Sequence, residues 1–206
     1  MHLRRRADRA SGFTLFELVV TMAIFSILVA LGVPSMSTWI NNVKVRSVAD
    51  ALQNGLRLAQ SESLRRSRQV VFSLTNSSAP QTSLTAATIG SFWSINYVPA
   101  MTDGSDTNTF IQSGVLTATS ANVTVTGPAE ICFNSVGRLV LNTSTGVAGG
   151  SCSPLPTIVT AGIPPMFIYL VKLTGATQLN VEVALGGQVH LCDPSQTLSS
   201  TNPYGC

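Results

Sequence analysis

Charge is the scarcest ingredient of this sequence of 206 residues: Asp, Glu, Lys and Arg together make up 10%, against about 25% in an ordinary soluble protein. Aromatic residues are also few, at 6%, and there are only two histidines, His2 and His190. So small a stock of titratable groups leaves little from which to build a catalytic set. No Gly-rich phosphate loop and no metal-spaced Cys/His cluster stands in the chain. The formal charge of +3 is not spread evenly. Arg4, Arg5, Arg6 and Arg9 face one acid, Asp8, in the first twelve residues, and the other 194 residues hold eight basic and eight acidic side chains. Bulk positive charge therefore gives no basis for nucleic-acid binding. Hydrophobic residues reach 45%, enough for a packed core and too many for a disordered chain.

What the sequence does have is one long uncharged run. From Leu18 to Val43 there are 26 residues without a charge, and about 20 apolar residues cross a bilayer as a helix. The arginines precede the run, so the positive-inside rule places residues 1–12 in the cytoplasm and the rest outside. A secretory signal has a shorter apolar core and a small-residue cleavage site; Ala30, Gly32 and Ser35 are small, so composition alone leaves cleavage after the apolar run as an alternative. A twin-arginine signal has an apolar pair directly after its arginines, which Arg5-Arg6 lacks. Pro34 marks a kink, because its ring removes a backbone hydrogen bond. Beyond it Val45, Val48, Leu52, Leu56 and Ala59 recur at helical spacing, so the helix continues as an amphipathic stripe to about Arg66.

Glu17 is an acid inside an otherwise apolar segment, where an ionised carboxylate is costly without a partner. Its surroundings, Ser11-Gly12-Phe13-Thr14-Leu15-Phe16-Glu17, resemble the processing site of type IV pilins and of the pseudopilins of type II secretion. The resemblance implies cleavage by prepilin peptidase between Gly12 and Phe13, methylation of the new amine on Phe13, and an assembly role for Glu17. In lipid, that amine and Glu17 of a neighbouring subunit would neutralise each other.

Past Ser67 short β-like runs alternate with turn residues. The expected strands are Gln69–Leu74, Phe92–Val98, Val123–Thr126, Ile131–Phe133, Arg138–Asn142, Met166–Leu173, Gln178–Leu185 and Gln188–Cys192. The stretches Thr75–Ala87, Asp103–Asn108 and Asn142–Pro156 read as loops. Strands without intervening helices imply an antiparallel sheet, or two, packed on the helix stripe. The expected fold is thus α+β, a long transmembrane and amphipathic helix against an antiparallel β domain. The expected divisions are a basic leader 1–12, a membrane and assembly helix 13–40, its amphipathic continuation 41–67, and a β-rich periplasmic domain 68–206. Two runs, Ile131–Arg138 and Gly186–Pro194, resemble the GspH/FimT branch of pilin-like proteins, which contains minor pilins and minor pseudopilins.

Cys132, Cys152, Cys192 and Cys206 are widely spaced, which suits disulfides in an oxidising compartment better than a zinc site. Three connectivities are open, and Cys132–Cys152 with Cys192–Cys206 closes the two shortest loops. No metal and no cofactor is expected, and the Asp103–Asn108 loop lacks the glutamate and spacing of an EF-hand. Residues 44–68 carry six basic groups against Asp50 and Glu62, ending in Arg65, Arg66 and Arg68. These three are the candidates for a DNA-binding surface, the alternative reading being a competence pilin. Relatives of the resembled branch that bind DNA do so through a Gly-Arg-x-Arg motif. Here the matching run is Gly187-Gln188-Val189-His190, and Gln and His cannot hold phosphate as guanidinium does. The resemblance implies, as partners, other pilin or pseudopilin subunits, prepilin peptidase, the inner membrane and its assembly platform. The expected role is a structural subunit at or near the tip of a type IV pilus or secretion pseudopilus, not an enzyme.

Overall fold

The computed structural model describes residues 12–77, 85–98, 109–117, 122–141, 152, 154–156 and 165–206, without side chains at 33–35. It divides into two compact units, Met1–Trp39 and Ile40–Cys206. One helix, α1 (Leu15–Arg66), contributes to both. The kink expected at Pro34 falls where side chains are not described.

In the first unit α1 exposes its apolar side chains all round, from Phe13, Leu15 and Phe16 to Leu28 and Leu31. Two of its hydroxyls bond back to the helix itself: Thr21 Oγ1 donates to Leu18 O at 2.9 Å and Ser26 Oγ to Met22 O at 2.8 Å. A helix that is apolar on every side, with its polar atoms turned back onto its own backbone, suits a lipid environment.

In the second unit the stripe is the core. Val45, Val48, Ala49, Leu52, Leu56 and Ala59 are all at most 1% exposed. The helix ends by a Schellman motif: Ser67 adopts φ 50°, its amide donates to Leu64 O, and the Arg68 amide donates to Ser63 O, each at 3.2 Å. Nine strands follow among the described residues: β1 (Val70–Thr75), β2 (Phe92–Tyr97), β3 (Thr109–Val115), β4 (Thr124–Thr126), β5 (Glu130–Phe133), β6 (Leu139–Val140), β7 (Met166–Lys172), β8 (Leu179–Ala184) and β9 (Val189–Cys192). They form two antiparallel sheets, ordered β3-β2-β1-β5-β6 and β4-β7-β8-β9.

Both sheets turn their apolar rows to one core with the helix stripe. Phe72, Leu74, Ile95, Ile131 and Phe133 come from the first sheet, and Tyr169, Val171, Val181 and Val183 from the second. The Phe72 ring stacks on Trp93 at 5.9 Å and meets Tyr169 edge-on at 6.2 Å. The strand β3 was not expected, since Gln112, Ser113 and Gly114 read as a weak strand. Its Gly114 lies opposite Trp93, and a Cβ there would stand 2.5 Å from the indole. The position that looks unfavourable for a strand is the one that admits the large ring.

The other face of the first sheet is buried too. Val71, Val98, Cys132 and Cys152 form a small second core, with Cys132 bonded to Cys152 across a Cα separation of 5.6 Å. Beside it Ser113, Ser94, Ser73 and Glu130 form one cross-strand row. Ser73 Oγ donates to the buried Glu130 carboxylate at 3.0 Å, and burial raises the Glu130 pKa above the ordinary value. A second disulfide, Cys192–Cys206, spans 5.2 Å between Cα atoms and ties the C-terminal residues to the end of β9.

Candidate functional site

Four places were singled out by sequence, and each has its own geometry. The first is the start of α1. Thr14 caps the helix: its Oγ1 accepts from the Glu17 amide at 3.2 Å, and its carbonyl accepts from the Leu18 amide at 3.2 Å. Thr14-Leu15-Phe16-Glu17 is thus the sequence of a capping box with the acid at the third helical position. Glu17 stands in the first turn, where the helix dipole favours a negative charge, and not within the body of the apolar run. The Thr-x-x-Glu spacing is the signal that could have shown this from sequence. Gly12, before it, is uncrowded among the described residues: a Cβ there would meet nothing within 4 Å. Phe13 is 84% exposed.

The second place is the far end of α1. Arg65 Nη2 approaches Glu62 Oε2 at 2.7 Å, and Arg66 Nε reaches the same oxygen at 2.8 Å. Hydrogen bonds from Arg65 and Arg66 hold the Glu62 carboxyl below its usual range, in that order of size. The guanidinium carbons of Arg66 and Arg68 lie 5.7 Å and 5.3 Å from the Tyr97 ring centre, within cation–π range. The three arginines do come together, but around an acid and an aromatic ring.

The third place joins the two runs near residues 131–138 and 186–194. Gly187, at φ 88°, lies within the four-residue turn, 185–188, that joins β8 to β9. A Cβ there would fall on the Gly137 carbonyl oxygen of the β5–β6 turn and lie 2.5 Å from Gln60 Nε2. Gln60 Nε2 donates to Gly137 O at 3.1 Å, and Leu139 N donates to Leu185 O at 3.0 Å. Both turns therefore lock onto one helix side chain and connect the two sheets. Gln188 and His190 are exposed beyond this lock, with His190 opposite Glu182. Burial raises the Glu182 pKa, and His190 opposes the shift.

The fourth is metal binding. Among the described residues, the one grouping of three ligand-type side chains is Glu182, Cys192 and Cys206. Its two sulfurs are spent in the disulfide, so it does not fit a cation. The Asp103–Asn108 loop lies outside the described residues.

Against known protein families, residues 8–33 match the prokaryotic N-terminal methylation motif and residues 48–154 match the type II transport protein GspH. The second match covers more than half of the chain, and the chain belongs to the GspH family. Among solved structures, the type IV minor pilin FimU of Pseudomonas aeruginosa strain PAO1 is similar in two crystal forms. One has a TM-score of 0.47 at 16% identity over 74% of this chain and 90% of that chain. The other has 0.46 at 16% identity over 73% and 94%. At these scores the likeness carries no argument. No curated protein matches the sequence.

Proposed function

We propose that this chain is a minor pilin-like structural subunit that assembles at or near the tip of a type IV pilus or a type II secretion pseudopilus. The observation that carries the reading is the start of α1. The first part of α1, with its apolar side chains exposed, begins just after Gly12, inside a segment that matches the N-terminal methylation motif. Gly12 carries no side chain that would hinder an enzyme acting on the backbone on either side of it. In this reading prepilin peptidase cuts between Gly12 and Phe13, and the Phe13 amine is methylated. Residues 13–40 hold the subunit in the inner membrane until the assembly platform extracts it. Residues 41–67 continue the helix, and residues 68–206 form the periplasmic domain, presented to other pilin or pseudopilin subunits. Glu17 serves twice, as a helix-start acid in its own chain and as the counter-charge for a neighbour's Phe13 amine. No catalytic role is needed.

The DNA-binding alternative rests on Arg65, Arg66 and Arg68. Glu62 neutralises part of that cluster and Tyr97 shields part of it, while Gln188 and His190 add no fixed charge. The subunit reading is therefore preferred. Intact mass measurement of the protein from its native membrane tests it: the chain begins at N-methylated Phe13. A mature chain beginning after Ala30 or Ser35 refutes it.

A further inference from the structure

The outer edge of β9 carries one open rung. Along the second sheet β9 is the edge strand. The Ala184 amide donates to Gln188 O at 3.0 Å, which fixes the alternation of the antiparallel ladder. Glu182/His190 and Asn180/Cys192 are then the hydrogen-bonded pairs, and Val189, Leu191 and Asp193 turn their backbone groups away from β8. At one end of this edge Arg57 Nη2 donates to Val189 O at 3.2 Å. At the other, the Asp193 amide donates to Tyr204 O at 2.7 Å, and Asp193 O accepts from the Gln196 amide at 3.1 Å. Leu191, between them, has no such partner among the described residues.

That rung opens into a cleft of about 480 Å³ whose lining includes Arg46, Asp50, Gln53, His190, Leu191 and Tyr204. The helix borders it lengthwise. Asn42 Oδ1 accepts from the Thr177 amide at 2.8 Å near the start of β8, and Gln60 stands beside Gly187 at its end. So α1 runs with β8 and against β9, with Asp50 and Gln53 on the stretch before Arg57. Asp50 is half-buried and has no ion-pair partner among the described residues.

We infer that this cleft receives a short extended segment of a partner polypeptide, added to β9 as an antiparallel strand with a lysine or arginine opposite Leu191. An antiparallel residue facing Leu191 exchanges both backbone hydrogen bonds with it, which is the least length of chain that fills the rung. Arg57 and Tyr204 stop the strand on either side. The side chain of the paired residue falls on the Leu191 face, beside Asp50, whose carboxylate complements a cation. Arg46, one turn earlier, repels a second one, so the fitting segment has one basic residue between uncharged neighbours. Backbone pairing supplies the affinity and the Asp50 position the selectivity, as in other strand-addition sites. The inference rests on the subunit reading only for the source of the strand, a neighbouring subunit of the assembly.

The test uses the full chain in detergent micelles and end-blocked, fluorescein-labelled peptides read by anisotropy. The peptide TVKVT is the probe. Its controls are TVEVT and TVKVT methylated at the lysine backbone nitrogen. Saturable binding of TVKVT is expected, with affinity about threefold to tenfold lower on N-methylation, the effect of one hydrogen bond. Asp50→Asn is expected to lower the affinity for TVKVT about threefold, as a partly exposed ion pair does, and to remove the preference over TVEVT. Equal binding of the three peptides, an Asp50→Asn protein that binds like the parent, or no saturable binding at millimolar peptide each overturns the inference. All three outcomes are independent of whether the chain starts at Phe13, so the slot can fail while the subunit reading stands.

Discussion

Replacing Gly187 by alanine tests the claim that two hairpin turns and the helix are locked at one point. At φ 88° an L-residue costs about 1–2 kcal/mol. The added methyl also falls on the Gly137 carbonyl oxygen, a backbone atom that cannot rotate away, and 2.5 Å from Gln60 Nε2. Relief requires the β8–β9 turn to move off the β5–β6 turn. That puts at risk the Gln60–Gly137 bond of 3.1 Å and the Leu139–Leu185 bond of 3.0 Å, each contributing about 0.5–1.5 kcal/mol. Together these make Gly187→Ala destabilising by about 2–5 kcal/mol, the size of effect that goes with a specific structural conflict. Gly186→Ala, one residue earlier, is the control: a Cβ there meets nothing within 4 Å, so its effect stays within about 0.5 kcal/mol. Urea unfolding of the full chain in detergent, followed by near-ultraviolet circular dichroism of the buried Trp93 and Tyr169, reads both variants. If the two alanines cost the same, the lock does not exist and the proximity of the turns is incidental.

Three further outcomes follow from the charged groups. Burial raises the Glu130 pKa above 4.5 in the folded chain, so its contribution to stability is full below that value and is lost as pH rises through the folded pKa. Glu130→Gln should therefore melt above the parent at pH 7.5 and level with it near pH 4; a constant difference at both pH values refutes the assignment. Glu17→Ala should still insert in the membrane, since it removes an acid from lipid, but co-purify less with its partner subunits; unchanged co-purification removes the Phe13–Glu17 pairing. For duplex DNA, no binding is expected at physiological salt above pH 7.5. Micromolar binding lost on replacing Arg65, Arg66 and Arg68, with a log–log salt slope of about −2 to −3, would make the arginine cluster a functional surface.

Features whose signal lies within one segment could be read from the chain before any fold was known. The uncharged run and the stripe from Val45 to Ala59 each repeat or terminate within a few turns of helix. Burial of the stripe at 0–1% exposure follows directly from that spacing. Strands with alternating valines, such as Leu179–Ala184, were legible for the same reason. Tertiary structure decided what depends on residues far apart in the chain. It alone made Gly114 a strand position, by bringing Trp93 over it. It buried Glu130 beside Ser73, 57 positions away, and set Tyr97 of β2 against Arg66 and Arg68. It brought Gly187 against Gly137 and Gln60, so that two runs that had looked like separate signatures became one joint. Periodicity records which side of a single element is apolar; it holds no information about which other element will cover that side, because that choice is made by all the pairings at once.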